Sequence, residues 1–226
     1  MRTVLSILAL VVAVSTVALG GDLKGQVTFK GTVPAAEAVT ITKDTRACGT
    51  MKEIRKVVVD KKGGLRDAVV RVLGLKSKAT YTGPEPVLNQ VDCEFVPAVV
   101  VVPMGTTLTI TSADAVLHNS HAFNEDGTTA FNLAVPFKGM KLRWKPKNPQ
   151  IMKVRCDAGH TWMFARIVVT ESPFAAVSGD DGSFSIASVP AGKYTVEAWH
   201  PELGKQTQEV EVPAAGQSVM FQFSAK

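Results

Sequence analysis

Residues 156 to 163 read Cys-Asp-Ala-Gly-His-Thr-Trp-Met, which places a thiol, an imidazole and a thioether within eight residues. Soft sulfur ligands combined with imidazole are the set that copper prefers. One more imidazole is needed to complete a near-trigonal His-His-Cys set with a weak axial Met. Such a set holds Cu(I) and Cu(II) in much the same geometry, so an electron can come and go with little rearrangement. Leu117-His118-Asn119 supplies it, just after the Ser112-Ala113-Asp114 break. The candidate metal ligands are therefore His118, Cys156, His160 and Met163. The plainer alternative makes Cys156 a buried free thiol and Met163 a filler of irregular core space, roles both residue types often take.

The chain has four histidines, which limits the choices. His121 stands three residues from His118 and cannot share its face on a regular strand. It reads as an alternative ligand, a support behind a ligand, or an ordinary polar residue. His200, in the Trp199-His200-Pro201 turn, reads as structural. Met104 precedes Gly105 at a strand connection and is a weak rival for the axial position. Trp162 reads as a wall that keeps water from the site, a kind of shell that tunes a metal's potential.

The elements that must position these residues are strands. No stretch carries a helical period, whereas β signals recur along the whole chain. In Ile151 to Cys156, Met152, Val154 and Cys156 share one parity and Lys153 and Arg155 the other, so Cys156 faces the core at the strand's end. Met163 to Thr170 resumes as a strand, and the intervening loop is thus fixed at both ends. Leu108 and Ile110 share a face opposite threonines, the alternation of a sandwich strand. The continuous valine run from Ala98 to Val102 suits a strand buried on both faces. Earlier strands are read at Gly25 to Val33, Arg55 to Asp60 and Ala68 to Leu73. After Pro173 the texture changes to short strands punctuated every eight to twelve residues by turns such as Gly179-Asp180-Asp181-Gly182 and Pro213 to Gly216.

The expected class is all-β, with two sandwiches: residues 22–170 holding the metal site and an N-terminal β extension, then a small sandwich over 171–226. Residues 1–21 read as a cleaved signal peptide, from Arg2, the apolar run Val4 to Ala18, and Ala18-Leu19-Gly20 at the cleavage point. That run is too short for an ordinary membrane span. The chain is expected to be periplasmic or secreted, with no stable membrane span after cleavage. In an exported chain Cys48 and Cys93, both in turn-like contexts, pair as a disulfide and leave Cys156 free, the alternative being two unpaired thiols. The formal charge of +5 is mild and spread along the chain, which does not support nucleic-acid binding.

These residues carry a resemblance. His-Asn on an early strand followed by a Cys-His-Met loop between two later strands resembles the cupredoxins, the plastocyanin and azurin superfamily. More narrowly, Leu117 to Ala122, Cys156-Asp157, Trp162-Met163, Gly179 to Phe184, Val189 to Gly192 and Trp199-His200 are similar to bacterial exported methylamine utilisation or plastocyanin-like proteins. In those, a Greek-key cupredoxin domain precedes a transthyretin-like, carboxypeptidase regulatory-like sandwich. The resemblance implies one type 1 copper bound by His118, Cys156, His160 and Met163. The family usually reads Cys-Asp-x-His-Pro-Trp-Met, so this chain has one more residue before the histidine and Thr161 in place of proline.

The expected function is that of a non-catalytic blue-copper protein, a single-electron carrier or copper holder with a redox protein partner. The alternatives are an accessory subunit of a copper enzyme, a structural or adhesion module of the envelope with a vestigial site, and a zinc site. Zinc is disfavoured because Met163 adds nothing for it. An enzyme would need a further centre, for which only His121 and His200 remain.

Overall fold

The computed structural model describes residues 20–75 and 79–225, so residues 1–19 of the expected signal peptide lie outside the described residues. Among the described residues no helix is long and apolar enough to cross a membrane. The chain is all-β, as expected, with a single helical turn at Thr45–Cys48 among the described residues.

In the first sandwich, a five-stranded sheet runs Thr129–Val135, His118–Phe123, Gln150–Arg155, Phe164–Thr170, Val99–Pro103. A four-stranded sheet runs Lys141–Trp144, Leu108–Thr111, Val87–Val91, Glu94–Val96. Inward residues of both sheets, including Leu88, Leu108, Ile110, Met152, Val154, Ile167 and Val169, form one buried core. The alternation anticipated for Met152, Val154 and Cys156 holds, since all three are buried and Lys153 and Arg155 are exposed.

The sheets do not follow chain order. The N-terminal strand Gly20–Lys30 is antiparallel to Ser183–Pro190 and parallel to Gln217–Ser224, so it is the central strand of a three-stranded sheet in the second sandwich. Val69–Val72 likewise lies between Ala175–Val177 and Gly192–His200 in the facing sheet. The segment read from sequence as an extension of the metal-site unit is thus built into the other sandwich. The reason is apolar area: Leu23, Val27 and Phe29 meet Phe184, Ile186, Val219, Phe221 and Phe223 in one core. Gly25 permits the close approach, because a Cβ there would stand 1.8 Å from the Val219 carbonyl oxygen. Arg55 to Asp60 forms no regular strand; it makes one isolated bridge, Val59 to Leu65.

A third, small core of Val69, Val99 and Val168, with Trp199 packed on it, joins the sandwiches. Val100 and Val102 face the first sandwich's core while Val99 and Val101 face this junction. The valine run is therefore apolar on both faces because each face has its own partner.

Outside both sandwiches, Glu37–Thr40 and Met51–Ile54 form a two-stranded hairpin. Its long tip, residues 41–50, lies against the first sandwich, where Ile41 and Cys48 join the core.

Candidate metal centre

Gln150–Arg155 lies between His118–Phe123 and Phe164–Thr170, and Arg155 has His121 and Phe164 as its opposite neighbours. Cys156, one residue beyond Arg155, and Met163, one residue before Phe164, therefore lie at one end of the five-stranded sheet. His118 opens its strand at that same end. The connecting loop reverses with Gly159 at φ +92°, a conformation that costs glycine nothing. The turn there brings His160 back beside Cys156, with Sγ and Nδ1 3.6 Å apart.

His118 Nδ1 and His160 Nδ1 are 3.0 Å apart. Cys156 Sγ is 3.6 Å from His160 Nδ1 and 4.0 Å from His118 Nδ1. All three residues are buried, and Cys156 is the free thiol. The backbone N–H of Asn119 donates to Cys156 Sγ at 3.4 Å. Met163 is buried in the same core, and its N–H donates to the His160 carbonyl at 3.0 Å.

The outer nitrogens are equally informative. His118 Nε2 is 2.8 Å from Asp114 Oδ2, and His160 Nε2 is 2.9 Å from Asp44 Oδ2. A carboxylate at Nε2 fixes the tautomer, with Nε2–H donating and the Nδ1 lone pair free. Two such lone pairs facing each other in a buried site repel unless a cation, a proton or a metal ion, sits between them. Burial holds His118 below the ordinary imidazole range, opposed by its hydrogen bond to Asp114. Burial thus favours the neutral imidazole, the form that binds metal.

The spacing fits an ion. Bond lengths of about 2.0–2.1 Å to nitrogen and about 2.3 Å to sulfur, in a trigonal arrangement, would set the nitrogens roughly 3.5 Å apart and each roughly 3.8 Å from sulfur. The sulfur distances of 3.6 and 4.0 Å bracket that value, and the nitrogen pair, at 3.0 Å, is closer than that by about half an ångström. Sulfur and imidazole donors in this arrangement suit copper, with zinc or iron as rivals for the same donor types.

His121 does not join the group. It points to the opposite face, where Nδ1 meets Asp157 and Nε2 is 2.8 Å from Thr129 Oγ1. Its hydrogen bond holds Asp157 below the usual carboxylate range. Asp157 in turn donates its N–H to Asn119 Oδ1 at 2.6 Å, so His121 braces the loop from outside. His200 is buried in the second sandwich, accepting the Glu202 N–H at its Nδ1. Met104 follows Pro103, which is opposite Thr170, whereas Met163 is at the other end of that strand; seven residues at about 3.3 Å each put Met104 roughly 20 Å away. Trp162 packs edge-on to His160 with ring centroids 5.2 Å apart and donates Nε1–H to the Cys93 carbonyl, which makes it a wall of the site.

Cys48 and Cys93 are joined in a disulfide beside this group, and both are buried. Their sulfurs and a His160 nitrogen lie within 4.8 Å of one another. Sequence reading missed Asp44 and Asp114. Asp114 was visible in the break before His118. Asp44, 116 residues from His160, carried no local signal.

A family model described as polysaccharide lyase family 4, domain II, matches residues 173–220. It falls in the second sandwich and takes the place of the carboxypeptidase regulatory-like domain expected there. A search of curated proteins returned no match. Among solved structures the chain is similar to a purple cupredoxin from Nitrosopumilus maritimus, at 21% identity over 38% of this chain and 100% of that one, TM-score 0.33. It is similar to amicyanin from Paracoccus versutus, at 16% identity over 45% of this chain and 97% of that one, TM-score 0.34. It is also similar to a Cu-containing nitrite reductase from Thermus scotoductus SA-01, at 20% identity over 45% of this chain and 25% of that one, TM-score 0.33. At these scores the likenesses carry no argument, and the fold is read from the strand pairing above.

Proposed function

We propose that the chain is an exported, non-catalytic protein that holds one copper ion and passes single electrons to and from a redox protein partner. His118 Nδ1, His160 Nδ1 and Cys156 Sγ are its equatorial ligands, and Met163 is the weak axial one. The observation that carries this reading is the buried pair of Nδ1 atoms, 3.0 Å apart, with Cys156 Sγ beside them and a carboxylate behind each ring. Export is supported by the apolar run at Val4 to Ala18 and by the disulfide, which persists in oxidising compartments.

Copper bound there supplies a one-electron couple. The chain's own part is to hold its donors still. Asp114 and Asp44 orient the rings, the Asn119 N–H stabilises negative charge on Sγ, and Trp162 keeps water out. Donors fixed in this way need not move when the charge of the site changes by one unit. A carrier rather than an enzyme is supported by the placement of His121 and His200, neither of which faces the site.

The test is addition of Cu(II) to the purified protein lacking residues 1–21, with Cys156 kept reduced. An intense visible band from thiolate-to-copper charge transfer is expected, and Cys156→Ala should lack it. A folded wild-type protein that binds copper without that band would remove the reading, and tighter binding of Zn(II) without colour would replace it with a zinc site.

A further inference from the structure

His160 is fully buried, and its outer nitrogen meets Asp44 in the tip of the 37–54 hairpin. The tip is closed on itself by one backbone hydrogen bond and held to the first sandwich at three points. The Ile41 N–H donates to the Thr50 carbonyl at 2.9 Å and closes the loop on itself. Lys43 Nζ donates to the Ala158 carbonyl, and its side chain lies over Gly159, where a Cβ would stand 2.8 Å from Lys43 Cδ. Asp44, at φ 53°, turns its carboxylate in to His160 Nε2. Cys48, at the end of the helical turn, is bonded to Cys93, whose carbonyl also receives the Trp162 indole N–H. The Asp44 side chain is 32% exposed while that of His160 is 0% exposed, so the carboxylate stands between the imidazole and water.

We propose that residues 41–50 form a disulfide-locked strap over the metal centre, in which Asp44 is a positioning residue for His160 and the Cys48–Cys93 bond keeps the site closed to exchange. The proposal rests on the reading of His118, Cys156 and His160 as the metal site, and it adds to that reading a reason why the metal stays. Asp44 is in an αL conformation that a side-chain carboxylate tolerates, and the helical turn after it directs Cys48 inward. The strap has little apolar area of its own beyond Ile41 and Cys48, so without the disulfide it belongs to the part of the molecule that opens locally. Opening would expose the His160 edge and, behind it, Cys156.

The experiment has one arm without metal and one with it. In the metal-free full chain Cys156 is the single free thiol, both in the wild type and in Cys48→Ala/Cys93→Ala, so its alkylation by iodoacetamide reports opening of the strap. Alkylation is expected to quicken about tenfold or more in Asp44→Ala, the shift that loss of one hydrogen bond to a charged group produces in a local opening equilibrium, and further in the double variant, which loses the chain constraint of the disulfide. Asp44→Asn, which can still accept from Nε2–H, should stay near wild type. In the copper-loaded chain, removal of copper by an external chelator should follow the same order. Asp44→Ala should also shift the visible band and the electron paramagnetic resonance spectrum, with Asp44→Asn restoring both. Asp44→Ala retains the disulfide, so misfolding of the double variant would leave the test intact. Equal alkylation rates in wild type, Asp44→Ala and the double variant would overturn the proposal, as would a copper spectrum indifferent to Asp44. Absence of any copper band would fail the metal reading alone, because alkylation needs no copper.

Discussion

The two sandwiches are built by the same alternation of apolar and polar residues, yet only one of them spoils its own core. The second is packed from Leu, Val, Ile, Ala and Phe, and its buried polar groups are tied off locally. Ser178 Oγ accepts from the Ala68 N–H and donates to the Leu65 carbonyl, and Glu197 is paired with Arg71 at 2.7 Å. The first sandwich instead buries two imidazoles, a thiol, an asparagine and a glutamine, concentrated toward one end of its sheets. Buried polar groups are tolerated when each is hydrogen-bonded. Here Asp114 and Asp44 satisfy the outer ring nitrogens and leave the Nδ1 pair facing inward, while Gln90 Oε1 is left without a partner among the described residues. An ordinary core closes its polar atoms; the first sandwich leaves a few of them converging on one point.

The largest effects should separate the sandwiches. Phe221→Ala, at a fully buried position of the second core, should cost about 3–5 kcal/mol of stability while leaving any copper band at its wild-type wavelength. Cys156→Ala should do the reverse, abolishing the band with a far smaller stability change. Denaturant titration with parallel spectra checks both. A band that moves in Phe221→Ala would break the comparison and show that the junction through Val69, Val99 and Val168 transmits strain.

Next is the disulfide, which joins residues 45 apart. Its removal as Cys48→Ala/Cys93→Ala should cost about 4 kcal/mol in the chain-entropy account. The second sandwich has no such cross-link among its described residues, so the loss should fall on the first. Hydrogen exchange that rose equally in both sandwiches would mean they unfold as a single cooperative unit.

A third effect belongs to the second sandwich alone. Burial drives the pKa of His200 down from its ordinary 6.5 to about 4. In the folded chain the ring stays neutral, while the unfolded chain takes up a proton below pH 6.5. Stability from this group is therefore intact above pH 6.5 and is lost as pH falls toward about 4, by on the order of 3 kcal/mol in total. His200→Asn should flatten that part of the pH profile, measured as the difference between variant and wild type by denaturant titration at several pH values. A difference constant from pH 7 to 4 would mean that His200 protonates in the fold as freely as in water.

What was legible in the sequence follows from the range of each signal. Strand parity is local, so the inward aim of Cys156 and the two-faced burial of the 98–102 valine run could be read. The grouping of His118, Cys156 and His160 was legible because soft donors crowd into eight residues with His118 as the one well-placed distant imidazole. The role of Gly20–Lys30 was not, because nothing in an isolated alternating strand says which sheet will accept it. Asp44 was not legible for a similar reason: an aspartate in a polar turn is common, and its meaning lies in a hydrogen bond to His160 across 116 residues. His121 was legible in part: its odd spacing from His118 put it on the opposite face, as read, but its contact with Asp157 across the loop left no local trace.

The smallest expected effect sharpens the comparison within the strap itself. The arms of its hairpin carry surface ion pairs, Arg55 with Glu53 at 2.8 Å and Lys56 with Glu37 at 3.3 Å, all with side chains more than half exposed. Pairs of this kind contribute about 0.2–1 kcal/mol at most, because water and salt screen them and ordering two long side chains costs entropy. Arg55→Ala and Lys56→Ala should therefore leave both stability and Cys156 alkylation near wild type, and raising the salt concentration should change neither. Closure of the strap would then rest on buried contacts, the Asp44 carboxylate on His160 and Cys48 on Cys93. Alkylation that rises with salt as steeply as it does in Asp44→Ala would instead mean that the hairpin is held down from its exposed arms rather than from its tip.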